Sequence, residues 1–178
     1  MGTVDVLSAD ASVRTASPAD IAAIGAVHAR AWRAAYVDLL PPDVLAALDP
    51  SALSRSWAPA VTEPPSARHR VVVACAGPTV VGFAAVDGDG ELVALLVDPS
   101  HQRRGHGSRL LSAVVAHLGT LGADVLVTWC PLADTVRRTF LTSAGLAPDG
   151  AFRELEVPGA HAGLREVRLV AGLDGGQG

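Results

Sequence analysis

The chain has 178 residues, of which 49% are hydrophobic and 18% charged, so it can bury a core and is not globally disordered. A formal net charge of -4 argues against a general nucleic-acid binder, and no apolar run approaches the roughly 20 residues of a membrane-spanning helix. The N-terminus lacks the basic and apolar regions of a signal peptide, so we expect a cytoplasmic protein with no nucleic-acid or membrane partner. Cys75 and Cys130 each lie in an apolar, strand-like run, and no Cys/His cluster indicates a metal, which predicts two buried free thiols.

Hydrophobic periodicity divides the chain into eleven elements in the order βααβββαβαββ. In chain order they are strand 13–15, helix 18–36, helix 44–48 with a continuation toward 57, strands 70–76, 80–86 and 91–97, a helix that ends near 119, strand 124–130, helix 134–144, and strands 152–157 and 164–170. The residues Ser17-Pro18-Ala19-Asp20 are typical of a helix start, because they offer a capping hydroxyl, a proline for the first turn and an early acidic group. The Pro-rich segment 58–66 predicts a mobile internal loop.

This order predicts a single α/β domain over residues 13–171, with a mixed, mostly antiparallel sheet of about seven strands flanked by about four helices. The three strands between residues 70 and 97 form an antiparallel meander, and the strand–helix–strand unit 91–130 supplies a parallel crossover. Segments 1–12 and 172–178 are expected to be disordered tails.

The segment between the third meander strand and the next helix carries the clearest chemical signal. It reads Gln102-Arg103-Arg104-Gly105-His106-Gly107-Ser108. A loop that ends at a helix N-terminus exposes backbone N–H groups without helical partners, and the helix dipole favours an anion there. The glycines allow a phosphate to approach the backbone, and the two arginines add positive charge. The loop has neither the Gly-Lys-Ser/Thr of a Walker motif nor the three glycines of a dinucleotide fingerprint.

Together with the preceding Val97-Asp98-Pro99, this loop resembles the Gln/Arg-x-x-Gly-x-Gly/Ala motif of the GNAT superfamily of acyl-CoA-dependent N-acyltransferases. The resemblance extends along the element order from about residue 13 to 171. It implies that acetyl-CoA is the cosubstrate, that the backbones of Leu95, Leu96 and Val97 pair with the pantetheine arm, and that the Val97 N–H polarises the thioester oxygen. It also implies that the pyrophosphate binds to the loop residues Gln102, Arg103, Arg104, Gly105, His106, Gly107 and Ser108. For His106 the backbone is the expected contact, with the side chain facing solvent.

Glu91 is the first candidate for the general base that accepts a proton from the attacking amine. It opens the strand that leads to the loop and lies eleven residues before Gln102. In the histone-acetylating branch of the superfamily, the general-base glutamate has the same separation from the loop. The alternative is a solvated charge that follows the turn 87–90.

A second family motif, Asn-x-x-Ala-x-x-Phe-Tyr-x-x-x-Gly-Phe, is similar to the sequence from Asp134 to Leu146. Asp134 replaces the Asn, so it either accepts a hydrogen bond from a pantetheine amide, caps the helix, or does both. Leu141 replaces the Tyr that protonates the departing thiolate in this family, which leaves the general acid open. Tyr36 is the single tyrosine of the chain and shares a helix face with Trp32, so it either contacts the acceptor and thiolate or packs in the core.

We therefore predict an N-acetyltransferase that transfers the acetyl group of acetyl-CoA to a primary amine by direct attack in a ternary complex. The alternative is a catalytically weak GNAT-like domain that binds acyl-CoA as a sensor or scaffold. The sequence identifies no particular acceptor amine, and it leaves open a homodimer.

Overall fold

The computed structural model describes residues 11–156 and 163–173. The strands in this part of the chain are β1 Ala11–Thr15, β2 Arg70–Ala76, β3 Thr79–Val86, β4 Leu92–Val97, β5 Val125–Pro131, β6 Ala147–Leu155 and β7 Leu164–Gly172. The α-helices there are α1 Ile21–Ala35, α2 Pro42–Ala46, α3 Pro50–Thr62, α4 His106–Thr120 and α5 Thr135–Ser143. None of these helices is both long and apolar enough to cross a lipid bilayer.

The strands form two antiparallel sheets, which confirms the predicted α/β class and its seven strands. One sheet has the order β1-β2-β3-β4 and contains the predicted meander, whereas the other has the order β5-β7-β6. The crossover through α4 brings β4 and β5 side by side in parallel, but their pairing is a single bridge between Glu91 and Val127. Among the described residues, strand structure begins at Ala11 and ends at Gly172, so it extends into both segments assigned to tails. Residues 1–10 and 174–178 of those segments lie outside the described residues.

The first sheet is covered on both faces, and the alternation of side chains along β2 shows why. Val72 and Ala74 pack in a core cluster with Leu110, Val114 and Leu118 of α4. Val71, Val73 and Cys75, on the opposite face, pack in a second cluster with Ile24 and Val27 of α1. From Val71 to Cys75 the strand is apolar at every position, and it is buried on both faces there. Cys75 and Cys130 are both buried and unbonded, as the sequence predicted.

The Pro-rich segment after α2 is helical rather than a loop over residues 58–62, so that prediction was wrong. Asp49 begins α3 by accepting hydrogen bonds from the backbone N–H groups of Ser51 and Ala52, at 3.0 Å each. Pro59 lies inside the helix near its C-terminal end, where the helix continues for three more residues. Tertiary packing explains why this Pro-containing segment is helical. Helix α3 lies directly against α1 at Gly25, where any Cβ would collide with Ser54 and Pro50.

Candidate active site

An opening between β4 and β5 is the central feature of the site. The two strands are joined at their starts, where the Val127 N–H donates to the Gly90 carbonyl at 3.1 Å and the Thr128 hydroxyl donates to the Leu92 carbonyl at 2.8 Å. Within the described residues they belong to different sheets beyond that point. The backbone of β4 that faces the opening is therefore available to a ligand.

A β-bulge in β4 coincides with the start of this opening. Ala85 pairs with Ala94 and Val86 with Leu92, so Val93 is an extra residue in the β3–β4 ladder. A bulge increases the local twist and bends the strand that contains it. The bulge follows directly after the single Glu91–Val127 bridge, and β4 then leads to the loop at residues 102–108.

The loop has the backbone geometry that an anion site requires. Arg103 and Gly105 have positive φ angles of 58° and 80°, and Gly105 caps α4. No backbone N–H from Arg103 to Ser108 donates to a group within the described residues. Arg103 and Arg104 are exposed, and the side chain of Gln102 donates to the Val97 carbonyl at 3.3 Å, which ties the loop to the end of β4. Consecutive free N–H groups at the start of a fifteen-residue helix are a geometry that suits an anion such as a phosphate.

The side chain of His106 does not face solvent, which corrects that expectation. It is 4% exposed, and its Nδ1 is buried without a hydrogen-bond partner. The reason is helical spacing, because His106 lies four residues before Leu110 and eight before Val114 on the buried face of α4. Burial and the nearby positive charges lower the pKa of His106, so its ring is neutral at physiological pH.

A cavity of about 100 Å³ lies at the joined end of β4 and β5. The chain has three tryptophans and one tyrosine, and all four line this cavity. They are Trp32 of α1, Tyr36 at the C-cap of α1, Trp57 of α3 and Trp129 of β5. Such a wall of aromatic rings excludes water and gives a rigid surface to a small organic molecule.

Glu91 lines the same cavity, as a base for an acceptor would need to do. Burial raises the pKa of Glu91, and the negative charges of Asp87, Glu166 and Asp89 add to this, while Arg153 opposes it. Arg153 is itself held by Glu166, with 2.7 Å between Nε and Oε2, and it stacks 4.4 Å from the centre of the Trp129 ring. Among the described residues, Glu91 forms no ion pair. It is thus a half-buried carboxylate whose pKa is shifted toward neutrality.

Two further titratable groups, one in α1 and one at its C-cap, line this cavity. Tyr36 is 4% exposed, and burial raises its pKa to about 12, so the phenol keeps its proton across the physiological range. His28 accepts a 2.9 Å hydrogen bond from the Trp57 indole, and burial lowers its pKa to about 4. One group is therefore a proton donor and the other a neutral acceptor at neutral pH.

The remaining predicted residues divide between the opening and the core. Leu95, Leu96 and Val97 form the end of β4, and Leu96 also lines the cavity. Asp134 caps α5 by accepting from the Arg137 N–H at 2.9 Å. Leu141 has no exposed surface and belongs to the core, so neither its chemistry nor its position provides a proton donor.

Several cavity residues were not predicted from the sequence. Trp129, Arg137, Arg153 and Glu166 come from β5, α5, β6 and β7, and no local motif marks them. Only composition could have indicated Trp129, since the chain has three tryptophans and all three line this cavity. In the described residues no group of three or more His, Cys, Asp or Glu side chains is placed to hold a metal ion.

Comparisons with known proteins agree with this geometry. The sequence model of the Acetyltransferase (GNAT) family matches residues 30–145, which is more than half of the chain. Two mycothiol acetyltransferases are similar to parts of the chain. That of Brachybacterium faecium is 46% identical over 68 residues, or 38% of this chain and 19% of the relative. That of Kineococcus radiotolerans is 37% identical over 102 residues, or 49% of this chain and 31% of the relative.

A solved structure shows the same fold. The PaiA N-acetyltransferase of Thermoplasma acidophilum, determined in complex with coenzyme A, superposes with a TM-score of 0.76 at 14% identity and covers 91% of this chain and 98% of its own. The chain thus covers well under two thirds of the length of either mycothiol relative, but nearly all of a single acetyltransferase fold. By its match to the family model, supported by the fold, this chain belongs to the GNAT family of acetyltransferases.

Proposed function

We propose that this protein transfers the acetyl group of acetyl-CoA to a primary amine by direct attack in a ternary complex. The observation that supports this most is the continuity of the site. Glu91 and β4 as far as Leu96 line the cavity, and Gln102 of the loop donates to the carbonyl of Val97, the last residue of β4. Such a site can hold a long anionic donor and a small acceptor at the same time.

Acetyl-CoA suits the first half of this opening. The free N–H groups from Arg103 to Ser108 would bind the pyrophosphate, and the two exposed arginines would add charge. The backbone of Leu95–Val97 would pair with the amides of the pantetheine arm as an added strand would. Asp134 retains a carboxylate oxygen beyond the one that caps α5, which can accept from the same arm. The coenzyme A complex of the structural neighbour is consistent with this assignment.

The chemistry requires a neutral amine, and Glu91 supplies the base. The amine nitrogen forms a bond to the acetyl carbonyl carbon, the carbon–sulfur bond breaks, and the amine proton passes to Glu91 directly or through water. The raised pKa of Glu91 brings its basicity closer to working pH. Cys130 is not suited to a covalent relay, because burial raises the pKa of its thiol to about 11.

The departing thiolate needs a proton or must leave as an anion. Tyr36 is the available donor, because it stays protonated and lines the cavity, whereas Leu141 is buried in the core. A thiol has an ordinary pKa near 8.5, so a modest donor is sufficient. The mycothiol relatives support acetyl transfer in general, and the small fraction of their length that is matched does not identify the acceptor.

The test is release of free CoA thiol from acetyl-CoA with a panel of amines, comparing the parent with Glu91→Gln. We expect kcat to fall about 100-fold in the variant, with little change in the KM for acetyl-CoA. Asp89→Asn is the matched control, since it removes an exposed carboxylate from the adjacent turn and should keep most activity.

Equal kcat values for Glu91→Gln and the parent would rule out Glu91 as the base. If acetyl-CoA binds but no amine in the panel releases thiol, the protein is an acyl-CoA-binding domain, which is the alternative favoured by the loss of the family tyrosine at Leu141.

A further inference from the structure

Arg137 is a charged residue of the cavity that the proposed reaction does not use. It lies in the first turn of α5, and its backbone N–H binds the cap residue Asp134. Its side chain lines the cavity, and its Nε is buried with no hydrogen-bond partner. No carboxylate among the described residues forms an ion pair with it. Because a guanidinium keeps its charge in a protein, a buried unpaired N–H indicates a missing anionic partner.

The other charges of the cavity define what this partner can be. Arg153 and Glu166 neutralise each other through their 2.7 Å ion pair. This leaves one carboxylate, Glu91, and one guanidinium, Arg137, without ion-pair partners among the described residues that line the cavity. The two lie in different parts of the cavity. Glu91 pairs with Val127 at the joined end of β4 and β5, whereas Arg137 belongs to α5, which follows the opposite end of β5 at Pro131. A ligand that complements both charges carries a cation or neutral amine and an anion at once.

We propose that the acceptor is a small amino acid-like molecule with a free carboxylate as well as its amine, and that Arg137 binds that carboxylate. Arg137 is thereby a specificity-determining residue. This proposal rests on the acetyl transfer proposed above, because it assigns the second substrate of that reaction. The size of the cavity, about 100 Å³, agrees with a small acceptor, and the aromatic rings would pack against its carbon skeleton. A guanidinium is suited to this role, since its fork of N–H donors matches the two oxygens of a carboxylate.

The experiment compares carboxylate acceptors with their amides. The probes are L-phenylalanine with L-phenylalaninamide, and 6-aminohexanoic acid with 6-aminohexanamide, assayed by CoA thiol release. Within each pair the amine and carbon skeleton are kept, and the negative charge is removed. In the α-amino pair the amine of the amide is less basic, so a larger fraction of it is neutral and able to attack. Amine reactivity therefore favours the amide, and a preference for the acid must have another cause. The two pairs place the carboxylate close to the amine and far from it.

We expect kcat/KM of the parent protein to favour the acid in at least one pair by about 10- to 100-fold, as charge-assisted hydrogen bonds provide. Arg137→Met keeps a long apolar stem and removes the charge, and should abolish this preference because kcat/KM falls about 10- to 100-fold more for the acid than for the amide. Arg138→Met is the control. It removes the same charge from the next residue, which does not line the cavity and donates instead to the Leu132 carbonyl, and it should retain the preference.

Equal kcat/KM for acid and amide in both pairs would overturn the proposal and leave the acetyltransferase activity standing. Equal losses for acid and amide in Arg137→Met would also overturn it, because Arg137 would then act in a step common to all acceptors. If no probe releases thiol, calorimetry with N-acetyl-L-phenylalanine and 6-acetamidohexanoic acid in the presence of CoA decides. Binding of either acid that is about 10-fold weaker in Arg137→Met supports the proposal, and absence of binding to the parent refutes it.

Discussion

His28 gives a prediction that joins the cavity to the stability of the fold. Its ring lies 5.1 Å from Trp32, 6.0 Å from Trp57 and 6.1 Å from Phe83, measured between centroids, and its Nδ1 accepts the indole proton of Trp57. Protonation of His28 would place a charge among these rings and would make Nδ1 a donor facing another donor. Burial accordingly lowers the pKa of His28 from 6.5 to about 4.

The sign follows from proton linkage. The folded-state pKa lies below that of the unfolded chain, so on acidification the unfolded chain takes up the proton first and is stabilised. The contribution of neutral His28 is fully present above about pH 6.5 and is lost progressively as the pH falls from about 6.5 to about 4. With these two pKa values, acidification from about pH 7.5 to about pH 5 costs about 2 kcal/mol of unfolding free energy through this one residue.

The measurement is urea unfolding of the parent and of His28→Gln at about pH 7.5 and about pH 5. Glutamine keeps an acceptor for the Trp57 indole and does not titrate, so the variant should lose about 2 kcal/mol less than the parent on acidification. Other groups, including His106 and His117, also titrate, and the difference between the two proteins removes their contribution. The same loss in both proteins would refute a buried neutral His28. A ring titration by NMR with a midpoint near 6.5 would refute it independently.

Three further predictions concern the ligand sites. Acetyl-CoA at about 100 times its Kd should raise Tm by about 5–10 °C in thermal unfolding. Gly107→Val should fold, because its new Cβ would lie at ordinary contact distances from Phe140, but should lose this rise in Tm. Gly119→Val, at the open end of the same helix, is the control and should keep the rise. Tyr36→Phe should lower kcat by about 100-fold in the thiol-release assay without weakening acetyl-CoA binding, and an unchanged kcat would mean that Tyr36 is not the acid. Leu141→Tyr should not supply a proton donor, because position 141 lies in the core. It should lower the free energy of unfolding in urea by about 1–3 kcal/mol, because the larger ring must enter a filled core. An unchanged free energy of unfolding would contradict that packing.

Much of the fold could be predicted because its signals are local. The all-apolar run of β2 and the turns on either side of β3 predicted the meander, and the glycine loop before an amphipathic helix predicted the anion site. The main error, at residues 58–62, arose where tertiary contact overrides local preference, since Pro59 is tolerated in a helix that packs on α1. The prediction that the His106 side chain faces solvent was wrong because His106 is already the first residue of α4 and lies on its buried face.

The sequence by itself predicted the class of fold and an anion site at residues 102–108, because these signals lie within single elements or at the junction of a strand and a helix. The family resemblance then made Glu91 a candidate base. The tertiary structure alone decided the cavity beside Glu91, whose lining comes from α1, α3, β4, β5, α5, β6 and β7. It also decided that Tyr36 and Glu91 line one cavity and that Arg137 is unpaired within the described residues. Residues far apart in the chain leave no mark on hydrophobic periodicity, which records only which face of its own element a side chain occupies. Their meeting depends on how the two sheets join at Glu91 and then separate, a property of packing between elements rather than of any one of them.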